Sequence, residues 1–183
     1  MEVILTELAI MPRTLTGSFE TFMLLADKQI KELILNHNLL TPYELEKKVF
    51  EGVSYGLSSC SYDLRLSELE LLWGSPLSLK IEPGGFRLGC TLETIKMPHN
   101  IVGLIKDKST WARRGLSVFN TLIDPGFEGQ ITLELKNQGT ELLKMPYGIG
   151  IAQIIFFECG EVENPYSGKY QGQTGITGPK EEK

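Results

Sequence analysis

The run Ile131-Thr132-Leu133-Glu134-Leu135-Lys136 alternates strictly between apolar and polar side chains. Successive side chains of an extended chain point to opposite sides, so this run predicts a strand with one buried and one polar face. It belongs to a series. Residues 61–66, 68–73, 77–81, 85–94, 101–105, 117–120, 130–137 and 150–157 read as strands separated by Gly, Pro and Ser. Pro83-Gly84-Gly85, Met97-Pro98-His99-Asn100 and Met145-Pro146-Tyr147-Gly148 punctuate them as turns. The spacing predicts a mainly β fold, and no internal repeat, linker or break in composition divides it.

Before Gly52 the periodicity is helical. Ile30, Leu33, Ile34 and Leu40 fall roughly on one face, with Asp27 placed to cap the helix. Thr41-Pro42-Tyr43-Glu44 has the form of a capping box with proline at the first helical position, which predicts a second short helix through Val49. Both helices read as packing elements. Residues 1–22 fit neither pattern, so the expected organisation is an extension over 1–22, a folded domain over 23–163 and a tail over 164–183.

Charge and composition narrow the partners. A net charge of −5 over 183 residues lacks the basic surface that nucleic acid requires, whereas a free nucleotide needs only a local cationic pocket. No apolar run approaches the roughly 20 residues that span a bilayer, and the first residues lack a signal-peptide pattern. Cys60, Cys90 and Cys159 are odd in number and widely spaced, which fits reduced thiols in the cytoplasm better than a disulfide framework or a metal site.

The chemistry concentrates between Asp107 and Gly139. Ser109 suits the cap of a single helical turn through Thr110, Trp111, Ala112 and Arg113, ended by Gly115 in a left-handed conformation. Unpaired N–H groups of such a turn, with Lys108, Arg113 and Arg114 around it, make a phosphate seat. The two arginines point about 100° apart on a helical turn, so one of them enters the pocket. Ile123-Asp124-Pro125-Gly126 then marks a turn entered by an acid, and Glu134 lies on the polar face of the strand that follows.

These blocks also carry a resemblance. Ser109-Thr110-Trp111-Ala112-Arg113-Arg114-Gly115-Leu116, Ile123-Asp124-Pro125-Gly126-Phe127-Glu128-Gly129 and Ile131-Thr132-Leu133-Glu134-Leu135 resemble, in order and spacing, the dCTP deaminase branch of the dUTPase-like superfamily. The segments 56–66, 146–153 and 165–173 match it as well, so the resemblance covers roughly residues 23–178. It implies a distorted β-barrel or jelly roll (the β-clip fold) and a homotrimer with active sites between subunits. It also implies Glu134 as general base, Ser109 positioning water or the exocyclic nitrogen, and Arg113 orienting the site and stabilising charge. Lys108 and Thr110 would sit near the phosphates, Asp124 at the deoxyribose or a water, and Phe127 beneath the sugar. Gln153 would approach the nucleotide, and Tyr166, Lys169 and Gln173 would close over its triphosphate. Mg²⁺ is expected on the triphosphate rather than in a protein cage.

Deamination at C4 of cytosine needs an activated water. Zinc deaminases obtain it through H-x-E and P-C-x-x-C motifs, neither of which occurs here, where His37 and His99 are the sole histidines. No zinc or other protein-held metal is therefore expected, and a carboxylate must act as base. One departure from the family's pattern bears on specificity: Phe119-Asn120-Thr121-Leu122 leads directly into Ile123-Asp124, about two residues shorter than typical dCTP deaminases. That length is nearer some dUTPases, so the alternatives are a dUTPase using Asp124, a bifunctional enzyme taking dCTP to dUMP, and a catalytically silent nucleotide-binding relative.

Overall fold

A computed structural model describes residues 23–68 and 78–181. The extension over 1–22 and most of the expected strand at 68–73 lie outside the described residues. In chain order the elements are β1 (Met23–Leu24), α1 (Asp27–His37), β2 (Leu40–Thr41), β3 (Lys48–Phe50), β4 (Val53–Leu57), β5 (Tyr62–Arg65), β6 (Ser78–Ile81) and β7 (Phe86–Lys96). They continue with β8 (Ile101–Asp107), α2 (Ser109–Ala112), β9 (Leu116–Val118), β10 (Leu122–Ile123), β11 (Glu128–Asn137), β12 (Leu143–Pro146) and β13 (Gly150–Glu158).

The fold is mainly β. One sheet runs β10-β8-β13-β5-β4-β3, with β1 also on β13; a second runs β2-β7-β11-β9, and β12 pairs with β6. Each pairing is antiparallel. Between the sheets lies one apolar core, to which Tyr62, Leu64, Leu133, Leu135 and Phe156 contribute fully buried side chains. Removing this much apolar surface from water is the main stabilising term of such a fold. Among the described residues no helix is long and apolar enough to cross a membrane.

The alternation around Glu134 is realised in β11. Ile131, Leu133 and Leu135 are buried, and Glu134 and Lys136 are half-buried on the other face. Thr132 departs from this pattern, being buried on the polar face, because later parts of the chain cover it. Between Gln130 and Thr132 the register with β7 shifts, and Thr91 Oγ1 accepts the Ile131 N–H at 2.9 Å where the ladder is broken.

Helix α1 forms with Ala26 rather than Asp27 as its N-cap residue and Ile30 and Ile34 buried, but it ends before Leu40, which was expected on the same face and lies in β2. The second expected N-terminal helix does not form; the other helix of the described chain is α2. Thr41 is committed to β7 through its pairing with Thr94. Glu44 gives its N–H to the Tyr62 hydroxyl and its carbonyl to Leu57, so no capping box is available. Beyond it, β3 and β4 make a hairpin whose tip residues Glu51 and Gly52 both have positive φ, 49° and 75°. That is the backbone of a two-residue hairpin turn, and tertiary pairing has outweighed local helical pattern.

Candidate active site

A cavity of about 540 Å³ opens between β11, the segment before β10 and the C-terminal tail. Five residues singled out from sequence line it: Asp124, Phe127, Glu134, Tyr166 and Gln173. Glu134 is held on a strand whose opposite face is core, which fixes its backbone. Partial burial of its carboxyl pushes its pKa above the ordinary carboxylate value, since desolvation disfavours the charged form. Phe127 is buried, and its ring lies 5.7 Å from that of Tyr166 at a 60° tilt. Asp124 is exposed, at the turn where Gly126 takes a φ of 85°.

The tail closes the cavity from outside. Tyr166 N–H donates to the Pro125 carbonyl, Gln130 N–H to the Gln173 carbonyl and Thr177 N–H to Thr132 Oγ1, at 2.8, 2.9 and 3.1 Å. Its bed requires glycine: a Cβ on Gly129, where φ is 149°, would stand 2.8 Å from the Gln173 carbonyl oxygen, and one on Gly126 would stand 2.7 Å from Pro165 Cβ. Gln173 also donates its side-chain N–H to the Gln130 carbonyl at 2.7 Å, so it fastens the tail. Lys169 does not line the cavity; its ammonium stands 5.6 Å from the Tyr170 ring centre, which Lys180 approaches at 5.7 Å.

The remaining expected residues lie elsewhere. Helix α2 starts one residue earlier than the sequence indicated, with Lys108 as N-cap residue, and Gly115 ends the turn with φ 90°. Ser109 is exposed, Thr110 half-buried and Arg113 exposed. Trp111 anchors the turn by burying its indole and donating Nε1–H to the Gly150 carbonyl at 2.9 Å. Arg114 stacks on that indole at 5.0 Å. Arg113 and Arg114 border a second, separate cavity with Lys144. Gln153 is likewise outside the first cavity and donates to the Asp107 carbonyl at 2.9 Å.

Lys108, expected beside the phosphates, is turned into the protein. It is 6% exposed and bonds Asp63 Oδ2 and, at 3.0 Å, Ser54 Oγ. Its charge is therefore already balanced by a carboxylate that is itself buried. The Asp63-Leu64-Arg65 strand is a structural element throughout, since Arg65 Nε meets the fully buried Glu93 at 2.7 Å. Lys108→Met is expected to destabilise the fold by about 3 kcal/mol, because it leaves Asp63 in the interior with the Ser54 hydroxyl at 3.4 Å and the outlying Lys47 ammonium at 3.7 Å. Urea unfolding measures this, and an unchanged midpoint would refute the structural role.

Sequence reasoning gave no role to Asn120 or Thr132, which also line the cavity. Neither stands in a pattern that marks a ligand-binding residue; their importance comes from where β9 ends against β11. Among the described residues no group of His, Cys, Asp and Glu is arranged to hold a metal ion.

Comparison with known proteins places this architecture. Residues 75–159 match the family model described as dCTP deaminase-like. The dCTP deaminase of Sulfurovum sp. is 38% identical over 179 residues, spanning 84% of this chain and 95% of the relative. Those of Helicobacter pylori strain J99 and Campylobacter lari are 37% and 35% identical, each over 85% of this chain and 96% of the relative. A solved 2'-deoxycytidine 5'-triphosphate deaminase from Agrobacterium tumefaciens superposes with a TM-score of 0.57 at 19% identity, covering 75% of this chain and 49% of that one. At that identity the structural match speaks to the fold.

Proposed function

The chain belongs to the dCTP deaminase family, an enzyme family of the hydrolase kind, and we propose that it converts dCTP to dUTP and ammonia. The observation that carries this reading is the half-buried Glu134 on the wall of a nucleotide-sized cavity, its pKa raised by burial. A carboxylate of raised pKa takes a proton from water more readily at neutral pH. Glu134 would accept one water proton as the oxygen adds to C4 and deliver it to the departing amine, while the remaining hydroxyl proton passes to N3, so that ammonia leaves and a C4 carbonyl remains. Asp124 would hold the deoxyribose or a bridging water, and Phe127 would pack beneath the sugar.

Among the described residues no lysine or arginine lines this cavity, and its two carboxylates repel phosphate. The cations a triphosphate needs must come from elsewhere, and Arg113 with Ser109 sits on an exposed turn at a separate place on the surface. A cyclic homotrimer resolves this, each cavity receiving the 109–113 turn of a neighbouring subunit. Exposed Phe86, Phe119 and Leu122 near the cavity mouth supply apolar surface for such a contact. Mg²⁺ would ride on the oxygens of the nucleotide's triphosphate. When bound, the ion neutralises phosphate charge. The reading carries with it a cytoplasmic location beside the deoxynucleotide pool.

The shortened segment before Asp124 favours one second reading, hydrolysis of dUTP or of the newly formed dUTP to dUMP and pyrophosphate. Chromatography of products from dCTP and from dUTP decides: dUTP accumulating from dCTP supports deamination alone, and dUMP with pyrophosphate moves the protein to the dUTPase or bifunctional reading. Binding of both nucleotides without turnover would mark a silent relative. Removing residues 164–183 is expected to raise KM for the triphosphate at least about tenfold, the value of one hydrogen bond to a charged group. An unchanged KM would show that the tail does not cover the substrate.

A further inference from the structure

We propose that Asn120 is the positioning residue of this site, its side-chain amide taking the place of a peptide group at the end of the β9–β11 ladder. The inference rests on the deaminase reading for its catalytic consequence, though not for its geometry. Pairing between the two strands runs from Asn137↔Leu116 to Leu135↔Val118 and is extended by the Phe119 N–H, which donates to the Glu134 carbonyl at 3.0 Å. There the main chain departs to build the cavity wall at Thr121–Asp124.

Departure would leave two groups on this edge of β11 without partners, the Glu134 N–H and the Thr132 carbonyl. Asn120 satisfies both. Its Oδ1 accepts the Glu134 N–H at 3.3 Å, and its Nδ2 donates to the Thr132 carbonyl at 2.7 Å. The two bonds also fix which way the amide faces, because a flipped amide would set donor against donor and acceptor against acceptor. One side chain thus ties the strand that carries Glu134 to the segment Thr121–Asp124 that walls the cavity. An alanine there leaves a half-buried N–H and carbonyl unmatched, and an aspartate keeps the acceptor while placing a second acceptor against the Thr132 carbonyl.

The test uses the full chain and the variants Asn120→Ala and Asn120→Asp. Amide hydrogen exchange at Glu134 is expected to accelerate about tenfold in Asn120→Ala, as follows from losing one hydrogen bond, with amides in the distant β12 unchanged. It should change less in Asn120→Asp. In dCTP turnover both variants are expected to lose about tenfold or more in kcat with KM within about threefold, since positioning acts on the transition state. Unaltered exchange at Glu134 in Asn120→Ala would overturn the brace. Altered exchange with undiminished kcat would overturn its catalytic consequence. If the wild-type protein turns over no dCTP, the deaminase reading falls while the exchange result still decides the brace.

Discussion

Glu134→Gln is expected to lower dCTP deamination by about 10³-fold, within the range that positioned acid–base groups contribute. The amide is nearly isosteric and stays on the same strand, so nucleotide binding should persist and the loss should fall on kcat. The raised pKa gives a second signature. In the wild-type enzyme kcat should rise with pH along an acid limb lying above the ordinary carboxylate range, because Glu134 must lose its proton to act as base. Stability moves the opposite way. The folded state holds this proton more tightly than the unfolded chain, so stability falls as pH rises from the ordinary carboxylate value through the raised one. Glu134→Gln removes that penalty, and its Tm should equal or exceed the wild type's at neutral pH, with the gap closing in acid. Ammonia release from Glu134→Gln at the wild-type rate would remove Glu134 from the mechanism.

Arg113→Ala is expected to cost about 10²-fold or more in turnover, the usual effect of losing a donor that faces developing charge. Its more informative use is in mixtures. If each site combines Glu134 of one subunit with Arg113 of the next, co-assembled Arg113→Ala and Glu134→Gln chains regenerate intact sites. For random assembly of equal amounts into a cyclic trimer, about one quarter of sites carry both native residues. Activity near that fraction, from two almost inactive parents, would establish a shared site. No recovery from verified mixed assemblies would place both residues within a single chain.

The longer strands were legible because their signal is local, whereas β1, β2, β3, β4, β10 and β12 were not read from the sequence. Ile131, Leu133 and Leu135 alternate with Thr132, Glu134 and Lys136, and the pleat converts that alternation directly into a buried and an open face. Asp124, Phe127, Glu134, Tyr166 and Gln173 were legible as a group through the family's motifs and meet around one cavity. What was not legible depends on distant partners. Residues 42–49 carry a helical pattern, yet Thr41 pairs with Thr94 and Glu44 with Tyr62 and Leu57. Lys108 reads as a phosphate ligand from its neighbours in sequence, yet Asp63, 45 residues away, takes its charge. Asn120 has no local mark at all, because its role exists only where β9 leaves β11.

If this cavity directs water to the pyrimidine ring, the oxygen of the new carbonyl comes from solvent. Turnover of dCTP with Mg²⁺ in ¹⁸O-labelled water, with the label located by mass spectrometry, reads this out. The expected result is ¹⁸O at C4 of the uracil base in the dUTP formed, with none in the phosphates. Label on phosphate alone, or a cytosine ring recovered unchanged, would contradict it.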